Sequence, residues 1–254
     1  MRIMTINIWG DYYENPVELR EGGVYSVIEN YKPDILGLQE MTISWHDAEF
    51  MKWMKKEYTC LEIYYLNHEP IYYRKDKFEL VECGWEDMEE TPDISKHFTW
   101  AVLRDIETDK KIGIVNTHFW WKVGEEHDRI RVVNAKQLLK IMREIKKRHQ
   151  IPVIAMGDLN CTVGSGAMNF LEENQVYTVL KLMENPCKTP TLHGDPKKGA
   201  DGKFHGKEAA ADAITIDHIV TFKDDVKIKK HDVVVYQEIL DATDHSPVYI
   251  DIEY

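Results

Sequence analysis

The sequence predicts a single α+β domain, and three features of the 254-residue chain lead to that fold class. Short apolar runs, some alternating and some continuous, recur along the whole length and are typical of strands. Between them lie stretches with apolar residues at i, i+3, i+4 and i+7, the spacing of one helix face. Neither an internal repeat nor a linker rich in Pro, Gly or Ser divides the chain, so we expect residues 1–254 to form one domain.

The strand predictions follow from the apolar runs. Residues 2–8 alternate, whereas residues 34–38 are a continuous apolar run of the kind that is buried on both faces. A polar turn at residues 107–110 joins two runs into a hairpin. The predicted strands are 2–8, 34–38, 71–73, 78–81, 99–106, 111–117, 152–156, 213–220, 233–235 and 248–252.

Helical spacing predicts three helices. Val24, Val27, Ile28 and Tyr31 share one face of the first, which Pro33 ends. The apolar face of the second helix is formed by Phe50, Trp53 and Met54. The third helix should run from about residue 128 to about residue 149, and its apolar face is formed by Ile130, Val133, Leu138, Ile141, Met142 and Ile145. Basic residues lie in the last turns of the third helix, where positive charge interacts favourably with the helix dipole. A solvent-exposed helix end explains them better than a nucleic-acid-binding patch. Residues 192–211, rich in Gly, Lys and Ala, are predicted to form a long loop.

Charge and composition narrow the function classes. The chain has 32 Lys and Arg residues against 44 Asp and Glu residues, a net charge of −12, which disfavours nonspecific binding to long nucleic acid. A bound cation can still reverse the field locally. Neither a membrane-spanning apolar stretch nor a signal-peptide pattern is present, and the cysteines form no CxxC pair. We therefore expect reduced thiols, no zinc site and a cytoplasmic location.

Polar residues stand at the ends of several predicted strands, and their chemistry is coherent. Six such polar endings in one chain look like several loops that converge on one end of a sheet, so these residues are predicted to share a site. The hard oxygen ligands, which suit Mg²⁺ or Mn²⁺ rather than zinc, are Asn7, Glu40, Asp158, Asn160 and Asp244. The groups for proton transfer or charge stabilisation are His118 and His245, with Asp217 available to orient an imidazole.

Each of these residues taken alone has a structural explanation. An Asn at a strand end usually caps a turn, a lone Glu is usually surface charge, and Asp158 with Asn160 could form an Asx-turn. Only their coincidence in one chain favours a metal-assisted attack of water on phosphorus.

The ordered motifs resemble those of the endonuclease/exonuclease/phosphatase superfamily of metal-dependent phosphoesterases. They cover nearly the whole chain: TINIW at 5–9, LQE at 38–40, YRKD at 73–76, NTH at 116–118, GDLN at 157–160, IDHI at 216–219 and TDHSPV at 243–248. The resemblance implies a four-layer α/β/β/α sandwich with two packed, mostly antiparallel sheets. It also implies a site at the sheet edge where the loops meet.

The resemblance assigns roles position by position. Glu40 matches the principal Mg²⁺ carboxylate, and Asn7 and Asp244 match further metal-site residues. Asp158 and Asn160 match the pair that activates the attacking water and contacts the phosphate.

The two histidine motifs also match the family. His245, with Asp217 as its partner, matches the imidazole beside the scissile phosphate, and His118 matches the histidine that contacts a phosphate oxygen and assists the leaving group. The motifs leave the general base open between Asp158 and the His245–Asp217 pair.

Substrate contacts are predicted at Trp9, Tyr73, Arg74, Trp120 and Trp121, with core packing as an equal alternative for the aromatic residues. The chain departs from many relatives in its aromatic run at 119–121 and in its longer segment at 194–211. A DNA-reading insertion or basic extension is not evident, which weakens the case for DNA repair.

The function predicted from these motifs is Mg²⁺-dependent (or Mn²⁺-dependent) hydrolysis of a small or single-stranded phosphodiester, or of a phosphomonoester, by a monomer. A nuclease acting on DNA or RNA is the alternative, though long duplex DNA is disfavoured. The motif at Asn7–Gly10 resembles that of sphingomyelinase-like phospholipid hydrolases, a further alternative. A catalytically inactive scaffold is disfavoured because every expected catalytic position is filled.

Overall fold

A computed structural model describes residues 1–61 and 67–254 and shows two large sheets packed face to face between two helical layers. In chain order the strands are β1 (Arg2–Asn7), β2 (Ile35–Gln39), β3 (Tyr58–Leu61), β4 (Ile71–Arg74), β5 (Phe78–Asp87), β6 (His97–Asp105), β7 (Lys111–His118), β8 (Val153–Asp158), β9 (Val176–Thr178), β10 (Lys197–Lys198), β11 (Phe204–His205), β12 (Asp217–Phe222), β13 (Lys227–Val233) and β14 (Val248–Glu253).

The first sheet has the strand order β13-β14-β1-β2-β4-β3, and the second has the order β5-β6-β7-β8-β12-β9. Within these sheets β1 pairs with β2 in parallel, as β7 does with β8, while the other pairings are antiparallel. The carboxyl ends of these two parallel pairs supply Asn7, Glu40, His118, Asp158 and Asn160, while Asp217 comes from the start of β12 and Asp244 and His245 from the loop before β14.

The helices are α1 (Glu21–Tyr31), α2 (Ile43–Asp47), α3 (Glu49–Glu57), α4 (Glu125–His149), α5 (Gly166–Glu173), α6 (Val179–Leu182) and α7 (Gln237–Leu240), with a 3₁₀ turn at Val17–Leu19. Among the described residues, none of these helices has the length and apolar character needed to cross a membrane.

Three apolar cores separate the four layers. The first core joins α1 and α3 to one face of the first sheet, and Val24, Phe50 and Leu36 are among its buried members. The second core lies between the two sheets, and the third packs α4 and α5 on the outer face of the second sheet. Alternation along each central strand supplies side chains to both of its faces, so β2 is buried along its whole length. The four-layer prediction is confirmed.

Several element predictions need correction. The strand predicted at 213–220 begins only at Asp217, where pairing with β8 starts. The strand predicted at 233–235 instead occupies Lys227–Val233, because β13 pairs with β14 over that range. The loop predicted at 192–211 contains a short hairpin, β10 with β11. In α4, Ile130 and Val133 are only half-buried, while Arg131 and Asn134 take buried positions.

A glycine at position 157 is required by the approach of two strands. Gly157 has φ of +146°, and a Cβ there would lie 1.9 Å from the carbonyl oxygen of Thr117. We expect Gly157→Ala to lower the free energy of unfolding by about 3 kcal/mol or more, because strain and overlap add. Denaturant unfolding measures this. Gly22→Ala is the matched control: it lies in α1, a Cβ meets nothing within 4 Å, and its effect should be neutral or slightly stabilising. A small effect at both positions would contradict the interpretation.

Candidate active site

The predicted polar residues meet at one edge of the two sheets, around a cleft of about 460 Å³. Strands β1 and β2 contribute from the first sheet, and β7, β8 and β12 contribute from the second. The residues that line the cleft are Trp9, Tyr12, Tyr13, Glu40, Asp93, Lys96, His118, Trp121, Asp158, Asn160, Leu192, Asp195, Ile216, Asp244 and His245.

Three cleft residues have a left-handed backbone. Trp9, Glu40 and Asn160 have φ of 57°, 62° and 48°, and each follows the end of a central strand. Residues other than Gly rarely adopt this backbone conformation, and the backbone strain that it causes is concentrated at functional sites. Here it turns the chain sharply at the sheet edge, which brings the strand-end residues round the cleft.

Glu40 and Asn7 lie side by side on the metal-binding side proposed for the site. Glu40 accepts hydrogen bonds from the Gly10 amide (2.8 Å) and from Asn7 Nδ2 (3.1 Å). Asn7 Nδ2 also donates to Asp158 Oδ2 at 3.1 Å, so one amide group joins two carboxylates. The Asn7 amide oxygen accepts a hydrogen bond from the Trp9 amide at 3.0 Å and keeps its second lone pair.

Asp244 completes this side from the loop before β14. Burial raises the pKa of Asp244 to about 6, and the Glu40 charge adds to the increase while His245 opposes it. Below the loops, the buried Arg20 guanidinium donates to the carbonyl oxygens of Ile8 (3.0 Å), Trp9 (2.7 Å) and Ala242 (2.6 Å). Arg20 therefore ties the loop after β1 to the loop that carries Asp244.

The residues predicted as an imidazole–carboxylate pair are in contact. His245 Nδ1 donates to Asp217 Oδ2 at 2.8 Å, and both side chains are buried. Burial alone would lower the pKa of His245, but the carboxylates of Asp217, Asp244 and Asp158 outweigh it and raise that pKa well above its usual value. The three carboxylates around this imidazole therefore favour its protonated form.

Asp158 lies between the two histidines. Its Oδ2 is 3.3 Å from His118 Nε2 and 3.8 Å from His245 Nε2. Burial and the Asp217 charge raise the pKa of Asp158, although His245 opposes the change. Its other oxygen accepts the Asn160 amide at 2.9 Å, so the Asx-turn considered from the sequence is present within the site.

His118 has an environment opposite to that of His245. Its Nδ1 lies 2.7 Å from the Lys96 ammonium group, and burial together with the Lys96 charge holds the pKa of His118 well below its usual value. The surroundings of the two histidines on either side of Asp158 therefore shift their pKa values in opposite directions.

The predicted substrate contacts divide into two groups. Trp9 and Trp121 line the cleft, and Trp121 is 52% exposed. Trp120 is buried, and its indole donates to His127 Nδ1 at 2.9 Å, so core packing accounts for it.

Tyr73 and Arg74 lie away from the cleft, which corrects their prediction as substrate contacts. Strand β4 runs antiparallel to β2, with Gly37 opposite Ile71 and Ile35 opposite Tyr73, so its last residues reach the far end of the sheet. Tyr73 packs between the sheets, and Arg74 forms ion pairs with Glu57 and Asp76.

Sequence reasoning missed several cleft residues. Tyr12 and Tyr13, 52% and 75% exposed, add to the aromatic rim, and Lys96 contributes a buried cation. A polar bridge behind the cleft was also missed: Gln39 donates to Asn116 Oδ1 at 2.7 Å across the two sheets. The motifs at 38–40 and 116–118 contain its two residues but do not indicate that they contact each other.

The donor set at the cleft fits a divalent metal. Glu40 and Asp244 are neighbouring carboxylates whose repulsion a cation would relieve, and their oxygens are hard ligands. A second group, Asp158, Asp217 and His245, has ligand atoms within 4.8 Å of one another and could also hold a metal. The hydrogen bond to His245 occupies one oxygen of Asp217, while its other oxygen, Oδ1, is buried without a hydrogen-bond partner among the described residues.

A sequence profile of the Endonuclease/Exonuclease/phosphatase family matches residues 4–245, so the chain belongs to this family. Its members are hydrolases that act on phosphoester bonds, and they use divalent metals. A search of curated protein sequences returned no significant match.

Solved structures agree with this fold. A family member from Bacteroides vulgatus is 26% identical with a TM-score of 0.79, covering 99% of this chain and 98% of that chain. The Bacteroides thetaiotaomicron mannosyl-6-phosphatase Bt3783 is 20% identical with a TM-score of 0.73, covering all of both chains. D. rerio TDP2 complexed with a single-strand DNA product is 17% identical with a TM-score of 0.76, covering 100% and 99%.

Proposed function

We propose that residues 1–254 form one divalent-metal-dependent phosphoesterase domain that hydrolyses a small or single-stranded phosphodiester, or a phosphomonoester, by attack of water on phosphorus. The observation that carries the proposal is the meeting, in one cleft, of the Glu40–Asp244 acid pair with two histidines around Asp158 whose surroundings shift their pKa values in opposite directions. Family membership supports the reaction class.

Glu40 and Asp244 would hold Mg²⁺ or Mn²⁺, with Asn7 joining them through the free lone pair of its amide oxygen. The bound metal would polarise the phosphate as a Lewis acid. Because Asn7 also fixes Glu40 against Asp158, the metal side of the cleft is held close to the side that handles protons.

The protein's own residues divide the remaining work. Asp158, with its raised pKa, accepts the proton of the attacking water, with Asn160 beside it to position that water and contact the phosphate. A cationic His245, oriented by Asp217, stabilises the developing charge and has no lone pair with which to act as base. His118, neutral and protonated on one nitrogen, donates to a phosphate oxygen or to the leaving group. These charges favour Asp158 over His245 as the general base.

The cleft supports a small substrate. Its mouth carries Asp93 and Asp195 in addition to the catalytic acids, which opposes the approach of an extended polyanion. Tyr12, Tyr13 and Trp121 at the rim offer exposed rings to a planar or apolar leaving group, so Trp9 and Trp121 stay predicted substrate contacts.

One copy of the chain supplies the acids and the histidines of the cleft, so the proposed reaction requires no residue of a partner and we propose a monomer. We also propose a cytoplasmic location, because the cysteine spacing of the sequence indicates neither a disulfide framework nor a CxxC pair.

Turnover of small phosphoesters should exceed turnover of long duplex DNA. Duplex binding should be weak at about 0.15 M salt, because a protein with few cations at its site releases few counterions. The test compares initial rates at fixed Mg²⁺ on sugar phosphates, nucleotides, short single-stranded oligonucleotides, sphingomyelin vesicles and plasmid DNA. Efficient plasmid cleavage with no turnover of any small ester would overturn the proposal in favour of a nuclease. Activity confined to the vesicles would instead favour the phospholipase alternative.

A further inference from the structure

A buried lysine contacts one of the two site histidines. Lys96, which immediately precedes β6, is only 6% exposed, and its Nζ lies 2.7 Å from His118 Nδ1. A lysine ammonium group has three donors and no acceptor, so the Nδ1 atom that it contacts must present a lone pair. A ring in that state is neutral and carries its one proton on Nε2.

We propose that Lys96 is a positioning residue that locks His118 in the neutral tautomer protonated at Nε2, so that this ring serves the reaction only as a hydrogen-bond donor. The inference deepens the proposed function and rests on it. It names a residue that the sequence motifs did not mark.

The residues around Lys96 place a buried acid near its side chain and fix its backbone. The buried carboxyl of Glu69 lies close enough for the Lys96 charge to oppose the strong increase that burial causes in the pKa of Glu69. Asp93 is held by the amide (2.9 Å) and hydroxyl (2.7 Å) of Ser95, and its carbonyl accepts the Lys96 amide. These contacts fix the backbone at Lys96, while its side chain crosses to His118.

The opposite nitrogen of His118 then has a defined partner. Nε2 is 3.3 Å from Asp158 Oδ2, in the cleft, and an N–H there is directed at an acceptor rather than at another donor. His245 is set in the reverse sense, because its Nδ1–H donates to Asp217. The lysine beside His118 and the carboxylate beside His245 thus give the two rings different protonation at Nδ1: His118 presents a lone pair there, and His245 presents an N–H.

The first experiment observes the tautomer directly. In full-length protein labelled with ¹⁵N-histidine, the His118 signals, assigned by their loss in His118→Gln, should show an unprotonated Nδ1 and a protonated Nε2. A wild-type ring protonated at Nδ1, or at both nitrogens, would overturn the proposal. This spectrum is decisive even if a Lys96 variant fails to fold, and it needs no substrate.

The second experiment separates the hydrogen bond from the charge. Lys96→Gln keeps a donor for Nδ1 without the charge, whereas Lys96→Met keeps the length of the side chain and removes the donor. We expect Lys96→Met to lower kcat by roughly 10-fold or more, with little change in KM and with loss of the single tautomer. Lys96→Gln should retain both the tautomer and most of kcat.

Equal loss of kcat in both variants, with the tautomer unchanged, would show that Lys96 acts through its charge and would overturn the positioning role. Thermal unfolding of both variants identifies a general loss of structure. A wild-type protein with the expected tautomer but with no hydrolysis of any phosphoester would refute the proposed function while supporting the tautomer assignment.

Discussion

Removing divalent metal should abolish hydrolysis, and Glu40→Gln should lower kcat by roughly 10³-fold, since metal polarisation of a phosphate contributes several kcal/mol to the transition state. Glu40 is the residue to change because its carboxylate, beside Asp244, is the anionic centre of the metal side of the cleft. The substitution keeps the size of the side chain and an oxygen for the Gly10 amide. Activity is measured after treatment with chelator and after Mg²⁺ or Mn²⁺ is returned, and metal affinity is measured by calorimetry.

Glu57→Gln is the matched control for this experiment. Glu57 is also a glutamate, but it pairs with Arg74 at the far end of the same sheet, so its loss should leave both metal affinity and kcat unchanged. Full activity in excess chelator, in protein shown by elemental analysis to hold no metal, would rule out the mechanism. Equal effects of the two substitutions would show that net charge, not ligation, is responsible.

The positions of the strands could be predicted wherever apolar patterning is strong. The hairpin predicted at 99–106 and 111–117 is confirmed as β6 and β7, and the buried run at 34–38 as β2, because burial on both faces leaves little choice of residue. Short elements such as α6 and β9 were missed, since three or four residues give no periodicity to detect.

The convergence of the polar residues could also be predicted, because polar residues stand at the ends of several apolar strand segments. Tyr73 shows the limit of this reasoning. Its motif lies on a strand that runs away from the cleft, and only the antiparallel pairing of β4 with β2, a contact between distant segments, reveals that direction.

Buried residues that support the site without lying in its motifs are the hardest to identify from a sequence. Arg20 and Lys96 are long cations, and a sequence alone suggests that such residues are exposed to solvent. Their burial is decided by carbonyl groups and by an imidazole that come from other parts of the chain. The left-handed backbone of Glu40 is equally hidden, because the surrounding fold imposes it on a residue with no preference for it.

His245→Gln should lower kcat by roughly 10²-fold or more while leaving the fold intact, because a positioned acid or cation contributes about that much. The ring is buried, hydrogen-bonded to Asp217 at 2.8 Å and surrounded by three carboxylates that raise its pKa, so its protonated form is favoured where negative charge develops in the cleft. Asp217→Asn should also be harmful, since an amide in that place neither stabilises the cation nor fixes its Nδ1–H. Steady-state kinetics on a small phosphoester measures both effects.

A double substitution tests whether the pair acts as one unit. If Asp217 works only through His245, then the double variant should be no slower than His245→Gln alone, because effects within a functional unit are not additive. His149→Gln controls for the loss of a histidine: that ring pairs with Glu82 at the end of α4, far from the cleft, and its removal should not change kcat. Near-wild-type turnover in both single variants would mean that His118, not His245, carries the charge stabilisation. Effects that simply add would mean that Asp217 has a role of its own.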